Sequence, residues 1–204
     1  MPIRAVVFDI GGVLEITPRT GWDGIWEARL GLQPGDLNAR LADVWRDGSS
    51  GAIGEDEVER RAGAILGIDR AQVDAFMADL WDEYLGTLNV ELAAYFAGLR
   101  PRYRTAILSN SFAGARRKEQ QRYRLGDLCD LIIYSHEEGI AKPEPRIFAL
   151  TCERLGVPPA EIVFLDDVEP NIAAARAYGL HAIRFDDTAQ AIAAIEACLR
   201  AHAS

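Results

Sequence analysis

The sequence predicts an α/β fold: a Rossmann-like parallel sheet with helices on both faces, plus a small helical cap inserted after the first strand. Three observations predict it. Short apolar runs recur along the chain, and each ends on polar residues. Helix-period segments alternate with those runs. One long stretch near the start breaks the alternation and carries only helical spacing.

The first run is Ile3–Phe8, β-branched and nearly all apolar, as a strand buried on both faces should be. It stops at Asp9, and Gly11 and Gly12 follow. Later runs are Thr105–Leu108 into Ser109-Asn110, Leu131–Tyr134 into Ser135-His136, Ile162–Leu165 into Asp166-Asp167, and His181–Phe185 into Asp186-Asp187. Helical segments are expected over Leu88–Leu99, Phe112–Leu125, Pro145–Leu155, Glu169–Tyr178 and Ala189–Ala201. Pro145 opens its segment and Gly156 closes it, and Gly179 stops the next. Strands alternating with helices imply right-handed crossovers in one parallel sheet.

Residues 15–88 hold no buried strand pattern. Leu37, Leu41, Val44 and Trp45, then Val73, Phe76, Met77, Leu80 and Trp81, recur at helical spacing, and about four helices are expected there. The division that follows is an α/β core over residues 1–14 and 89–204 and a helical cap over 15–88. The tryptophans of the cap (Trp22, Trp26, Trp45, Trp81) read as core residues.

Composition excludes several classes. The chain has 204 residues, 49% hydrophobic and 26% charged, which suits a globular core. With 22 Lys plus Arg against 31 Asp plus Glu, the net charge of −9 argues against a nucleic-acid surface and against docking on anionic membrane. The N-terminal apolar run is too short for a signal-peptide core or a membrane span, so a cytoplasmic protein is expected. Cys129, Cys152 and Cys198 are far apart with no CxxC, and His136, His181 and His202 are equally scattered, so neither a zinc cage nor a disulfide framework is expected. Oligomeric state is not legible.

Chemistry converges at the strand ends. In a parallel sheet the carboxyl ends open on one edge. Asp9, Ser109-Asn110, Lys142-Pro143 and Asp166-Asp167 with Asn171 bring to that edge a carboxylate, a hydroxyl, a cation and a further carboxylate pair. A carboxylate attacking a phosphate dianion meets like-charge repulsion, which a lysine and a hard cation would offset. The oxygen-rich set suits Mg²⁺. His136, Glu137 and Glu138 read as surface residues.

The stretches FDIGGVL (8–14), LSN (108–110), GIAKPEPRIF (139–148) and FLDDVEPNIAAARAYG (164–179), in this order and spacing, resemble the haloacid dehalogenase-like hydrolase superfamily over the whole chain. The resemblance is strongest to the branch holding bacterial glucose-1-phosphate phosphatase-like proteins and the phosphatase domain of soluble epoxide hydrolase. It implies Asp9 as a nucleophile taking the phosphoryl group. It implies Ser109 and the Asn110 backbone as phosphate holders, Lys142 as the charge-neutralising cation, and Asp167 with Asp9 as Mg²⁺ ligands. Asp166 and Asn171 would be ligands or their immediate partners.

The pattern departs from the resemblance at one position. The family's phosphatases carry Asp-x-Asp, and here the sequence reads Asp9-Ile10-Gly11. Gly11 keeps the backbone carbonyl that binds metal and lacks the general acid and base, a loss of about 10²–10⁴-fold in rate. Glu15 and Thr17 are near enough in sequence to supply a proton. The function expected is a Mg²⁺-dependent phosphomonoester hydrolase acting on a small phosphorylated metabolite of the sugar-phosphate class. The alternatives are a non-catalytic or weakly active binding or regulatory protein, and a metal-independent 2-haloacid dehalogenase.

Overall fold

The computed structural model describes residues 1–203. In chain order the elements are β1 (Ala5–Phe8), β2 (Glu15–Ile16), α1 (Trp22–Leu30), α2 (Asp36–Ser49), α3 (Glu55–Leu66), α4 (Arg70–Leu85), β3 (Thr87–Leu88), α5 (Val90–Gly98) and β4 (Arg104–Ser109). There follow α6 (Ala115–Tyr123), β5 (Leu131–Tyr134), α7 (Ser135–Glu138), α8 (Pro145–Leu155), β6 (Ile162–Asp166), α9 (Glu169–Tyr178), β7 (His181–Arg184) and α10 (Thr188–Ala201).

Among the described residues, the main sheet has five strands in the order β5-β4-β1-β6-β7, every neighbouring pair parallel. β1 is central and its four residues are all buried. The architecture is the Rossmann-like parallel sheet that the alternating pattern predicts. Two apolar clusters lie against the two faces. Val6 and Phe8 point into one, with Phe96 stacked on Phe8 at 4.4 Å. Ala5 and Val7 point into the other, with Phe148 and Ile172. Alternate residues of one strand therefore serve opposite layers, as period-two geometry requires.

Helices α1–α4 lie between β2 and β3, and these two short strands pair antiparallel to close the excursion. The start of α2 is held by Glu27, whose Oε1 accepts from the backbone of Gly35 at 2.7 Å and Leu37 at 3.1 Å. The start of α4 is a reciprocal cap between Asp69 and Gln72. Phe76 is buried at the centre of this unit, against Trp22 at 5.2 Å, Trp26 at 5.4 Å and Trp45 at 6.3 Å.

Where this unit rejoins the sheet, Asn89 is buried and tied on several sides. Its backbone donates to Leu14 O at 2.8 Å, its Nδ2 donates to Thr188 Oγ1 at 2.8 Å, and its Oδ1 accepts from Leu92 at the start of α5 at 3.3 Å. Among the described residues no helix is long and apolar enough to cross a membrane.

Candidate active site

Sheet register explains why the polar strand ends meet. Phe8 lies opposite Ile107 on β4 and Leu165 on β6. One residue further on, Asp9 is level with the ends of both neighbours, and its backbone donates to Leu165 O at 2.9 Å. Ser109 and Asp166 end their strands at this edge.

Lys142 reaches the same point from the loop after α7. Its side chain is fully buried, and its ammonium meets Asp9 Oδ1 at 2.8 Å, Asp166 Oδ2 at 2.7 Å and the carbonyl of Leu108 at 2.9 Å. A lysine carries three donors, and here each has an acceptor. Asn110 fixes the loop that delivers it: its Nδ2 donates to Lys142 O and its Oδ1 accepts from Lys142 N, both at 2.8 Å.

The carboxylates divide into two kinds. Asp166 is fully engaged: Lys142 and Asn171 meet it, and Val168 N donates to its Oδ1 at 2.8 Å. Asn171 Nδ2 lies 3.1 Å from each of its oxygens. Asp166 thus orients Lys142. Asp167, one residue past the strand end, keeps Oδ1 buried with no hydrogen-bond partner. Asp9 takes both of its hydrogen bonds on Oδ1, from Lys142 and from Ile10 N at 2.7 Å. Among the described residues no donor reaches its Oδ2.

Oxygens of Asp9, Asp166 and Asp167 lie within 4.8 Å of one another. Three carboxylates face one ammonium at this edge. Burial pushes Asp9 up to about 7, against the pull of Lys142. Burial and the charge of Asp166 raise Asp167. The orphaned oxygen of Asp167, the uncompensated charge and the all-oxygen donor set fit a hard divalent cation. The Gly11 carbonyl accepts no hydrogen bond from the described residues. Gly12 has φ +75°, and a Cβ there would stand 2.3 Å from Asp167 Oδ2, so only glycine lets this loop approach that carboxylate.

A family model for haloacid dehalogenase-like hydrolases matches residues 3–179. The chain belongs to this family. It is 30% identical to acyl-CoA dehydrogenase family member 10 of Mus musculus over 96% of its own length, and it spans 19% of that protein. It is 28% identical to D-ribitol-5-phosphate phosphatase of Bacteroides thetaiotaomicron, covering 83% of this chain and 85% of the relative. A solved family enzyme from the same bacterium, in complex with magnesium and inorganic phosphate, superposes with a TM-score of 0.76 at 25% identity, covering 89% of this chain and 93% of that one.

All eight sequence-predicted site residues lie at this edge or in the loops and helix beginning there, but they are not equivalent. Asp9, Lys142, Asp166 and Asn171 form one hydrogen-bonded set. Gly11 and Asp167 flank it in the loops after β1 and β6. Ser109 is buried, its hydroxyl donating to Asn110 O at 3.3 Å.

Sequence reasoning missed Ser111, Ser135 and His136. Ser135 Oγ accepts from Ser111 N at 2.9 Å, and Ser111 Oγ lies 2.6 Å from His136 Nδ1. His136 is half-buried, not a surface residue, and burial lowers its basicity. Glu137 and Glu138 instead pair with Arg116 and Arg154. The nearby acid Glu15 is buried with no partner for either oxygen, and burial, with the charge of Glu119 adding to it, pushes it up to about 9.

Proposed function

We propose that the protein is a Mg²⁺-dependent phosphomonoester hydrolase that works through Asp9. The observation that carries this reading is the asymmetry of Asp9. Lys142 and Ile10 hold one oxygen, leaving the other as the nucleophile. Relatives named as a ribitol-phosphate phosphatase and as a magnesium–phosphate complex support the chemistry.

In the first step Asp9 Oδ2 attacks phosphorus, an aspartyl phosphate forms, and the bond to the alcohol breaks. In the second, water attacks phosphorus and gives up a proton to solvent, the bond between phosphorus and Asp9 Oδ2 breaks, and inorganic phosphate leaves with Asp9 restored. Lys142 keeps Asp9 in place and offsets the charge of the transferring group. Ser109 and the Asn110 backbone would hold phosphate oxygens. Asp9, Asp167 and the Gly11 carbonyl would hold Mg²⁺, with Asp166 and Asn171 behind them. When bound, the cation supplies Lewis-acid stabilisation of the phosphoryl oxygens.

Gly11 brings no acid, so the leaving alcohol takes its proton from water. Helices α1–α4 act as a cap over residues 15–88 that excludes bulk water from the core of residues 1–14 and 89–204. The Asp167 carboxylate has no task in a metal-independent dehalogenase. The phosphate end of the substrate is set by the strand-end residues. Its body is set by the cavity beyond Asn110 and Ser111, lined by aromatic side chains and by the hydroxyls of Thr17, Ser49 and Ser135.

Phosphate release from an aryl and from an alkyl phosphate, each with Mg²⁺ and with excess EDTA, tests the reading. Metal-dependent turnover is expected, with the aryl ester far ahead because its leaving group needs little protonation. Silence on both esters with Mg²⁺ present would overturn it.

A further inference from the structure

We propose, on the footing of the phosphatase reading, that the alcohol part of the substrate is a bulky apolar group held in an aromatic-walled cavity between α1–α4 and the sheet edge. The cavity has a volume of about 600 Å³, within the range that encloses most of a drug-sized ligand. It opens directly on Asn110 and Ser111, so a phosphate at the strand ends would project its ester oxygen into it.

Its apolar wall is Trp22, Trp45, Leu80, Tyr84 and Phe112. These form one packed surface: Phe112 stands edge-on to Trp45 at 5.8 Å, and buried Phe76 backs both Trp22 and Trp45. Gly48 makes this wall possible, because a Cβ there would meet the Phe112 ring at 2.5 Å. The backbone of Ala113 donates to Gly48 O at 3.1 Å and pins the same contact. Trp22 and Trp45 are only half-buried, and the apolar surface they leave open is what an apolar ligand would cover.

Polar side chains also line it, Thr17, Ser49, Glu83, Asn110, Ser111 and Ser135, and several of them are engaged within the protein. The Asn110 side chain is spent on Lys142, and Ser111 is spent on Ser135 and His136. Glu83 is the one charged residue among the described lining residues, and its carboxylate accepts from Thr20 N at 2.7 Å and Thr20 Oγ1 at 2.5 Å. Among the described residues no lysine, arginine or histidine lines the cavity, so no cation there would recognise a second anionic group. A polyol laid over the aromatic rings would lose hydration there, whereas a hydrocarbon gains from every buried methylene.

The test is a series of primary alkyl phosphates from ethyl to octyl, with D-ribitol 5-phosphate as the polyol, on the wild-type enzyme with Mg²⁺. The leaving groups are all primary alcohols, so differences report the cavity. We expect kcat/KM to rise about threefold per added methylene until the cavity is filled, and octyl phosphate to exceed the polyol ester. Trp45→Ala should compress the octyl-to-ethyl ratio about fivefold or more.

Binding is read separately by tryptophan fluorescence in Asp9→Asn, where chemistry is blocked. Octyl phosphate should half-saturate at a concentration about tenfold or more below ethyl phosphate. A flat chain-length series, or preference for the polyol, overturns the inference while leaving the phosphatase reading intact. Absence of turnover of the alkyl series and of an aryl phosphate alike, with the binding difference retained, overturns the phosphatase reading and leaves the apolar cavity standing.

Discussion

The ammonium of Lys142 lies 2.8 Å from Oδ1 of Asp9, with the lysine side chain fully buried. The pair is held from both sides, by Asp166 on the lysine and by Ile10 N on the aspartate. It turns a strand-end carboxylate into an oriented group with one free oxygen.

Lys142→Met leaves Asp9 and Asp166 facing each other with no counter-charge. Removing one partner from a buried charged set costs about 3–5 kcal/mol, to be read by urea unfolding. Turnover should fall by about 10² or more, as for a lost electrostatic stabiliser. Lys142→Arg should not restore it, because a planar guanidinium cannot aim donors at the three acceptors around this ammonium.

Gly12→Ala puts a methyl group 2.3 Å from Asp167 Oδ2, at a φ of +75°. Asp167 must move. The half-saturating Mg²⁺ concentration, followed by calorimetric titration, should rise about tenfold or more, the scale set by disturbing groups that orient metal ligands. An unchanged Mg²⁺ affinity would remove Asp167 from the cation site.

Gly11 offers the opposite situation. A Cβ there meets nothing within 4 Å, and its φ is not in the left-handed region. Gly11→Asp should therefore fold normally and place an acid beside Asp9. Turnover of alkyl phosphates should rise by about 10² or more, with a smaller gain for aryl phosphates, whose leaving group needs no proton.

Much of this was legible in the sequence, and the physical reason differs by element. Buried parallel strands read clearly because both faces are apolar and each run stops at a charge or hydroxyl. Helices α8 and α9 read to the residue because proline and glycine mark their ends. Helix α6 begins at Ala115, after the positive φ of Gly114, because Phe112 and Ala113 are spent on the wall against α2 instead of on a helix.

The two-residue strands β2 and β3 escaped notice because two residues carry no period. Asp166 and Asp167 are alike in sequence, yet one ends a strand among donors and the other keeps an oxygen without a partner. That division, and the split of tryptophans into buried Trp26 and Trp81 against cavity-lining Trp22 and Trp45, depends on packing that spacing cannot encode.

Glu15 gives a pH signature. Its ordinary value of 4.5 applies to the unfolded chain, and burial raises it to about 9 in the folded one. Between those values the folded state holds more protons, so stability is highest at the acid end and falls as pH rises toward 9. Glu119 and Asp9 act in the same direction only up to about 7. Urea unfolding at several points between pH 7.5 and 9 should show a loss of up to about 1.4 kcal/mol per pH unit. Glu15→Gln should flatten it.

The most direct test of the central claim is Mg²⁺-dependent phosphate release from an aryl phosphate by Asp9→Asn beside the wild type. The amide keeps the size of the side chain and loses the nucleophile. With Asp9 as the attacking group, the variant folds, as near-ultraviolet circular dichroism will report, and releases no phosphate above the uncatalysed rate. Turnover equal to the wild type would contradict the account and place the chemistry elsewhere.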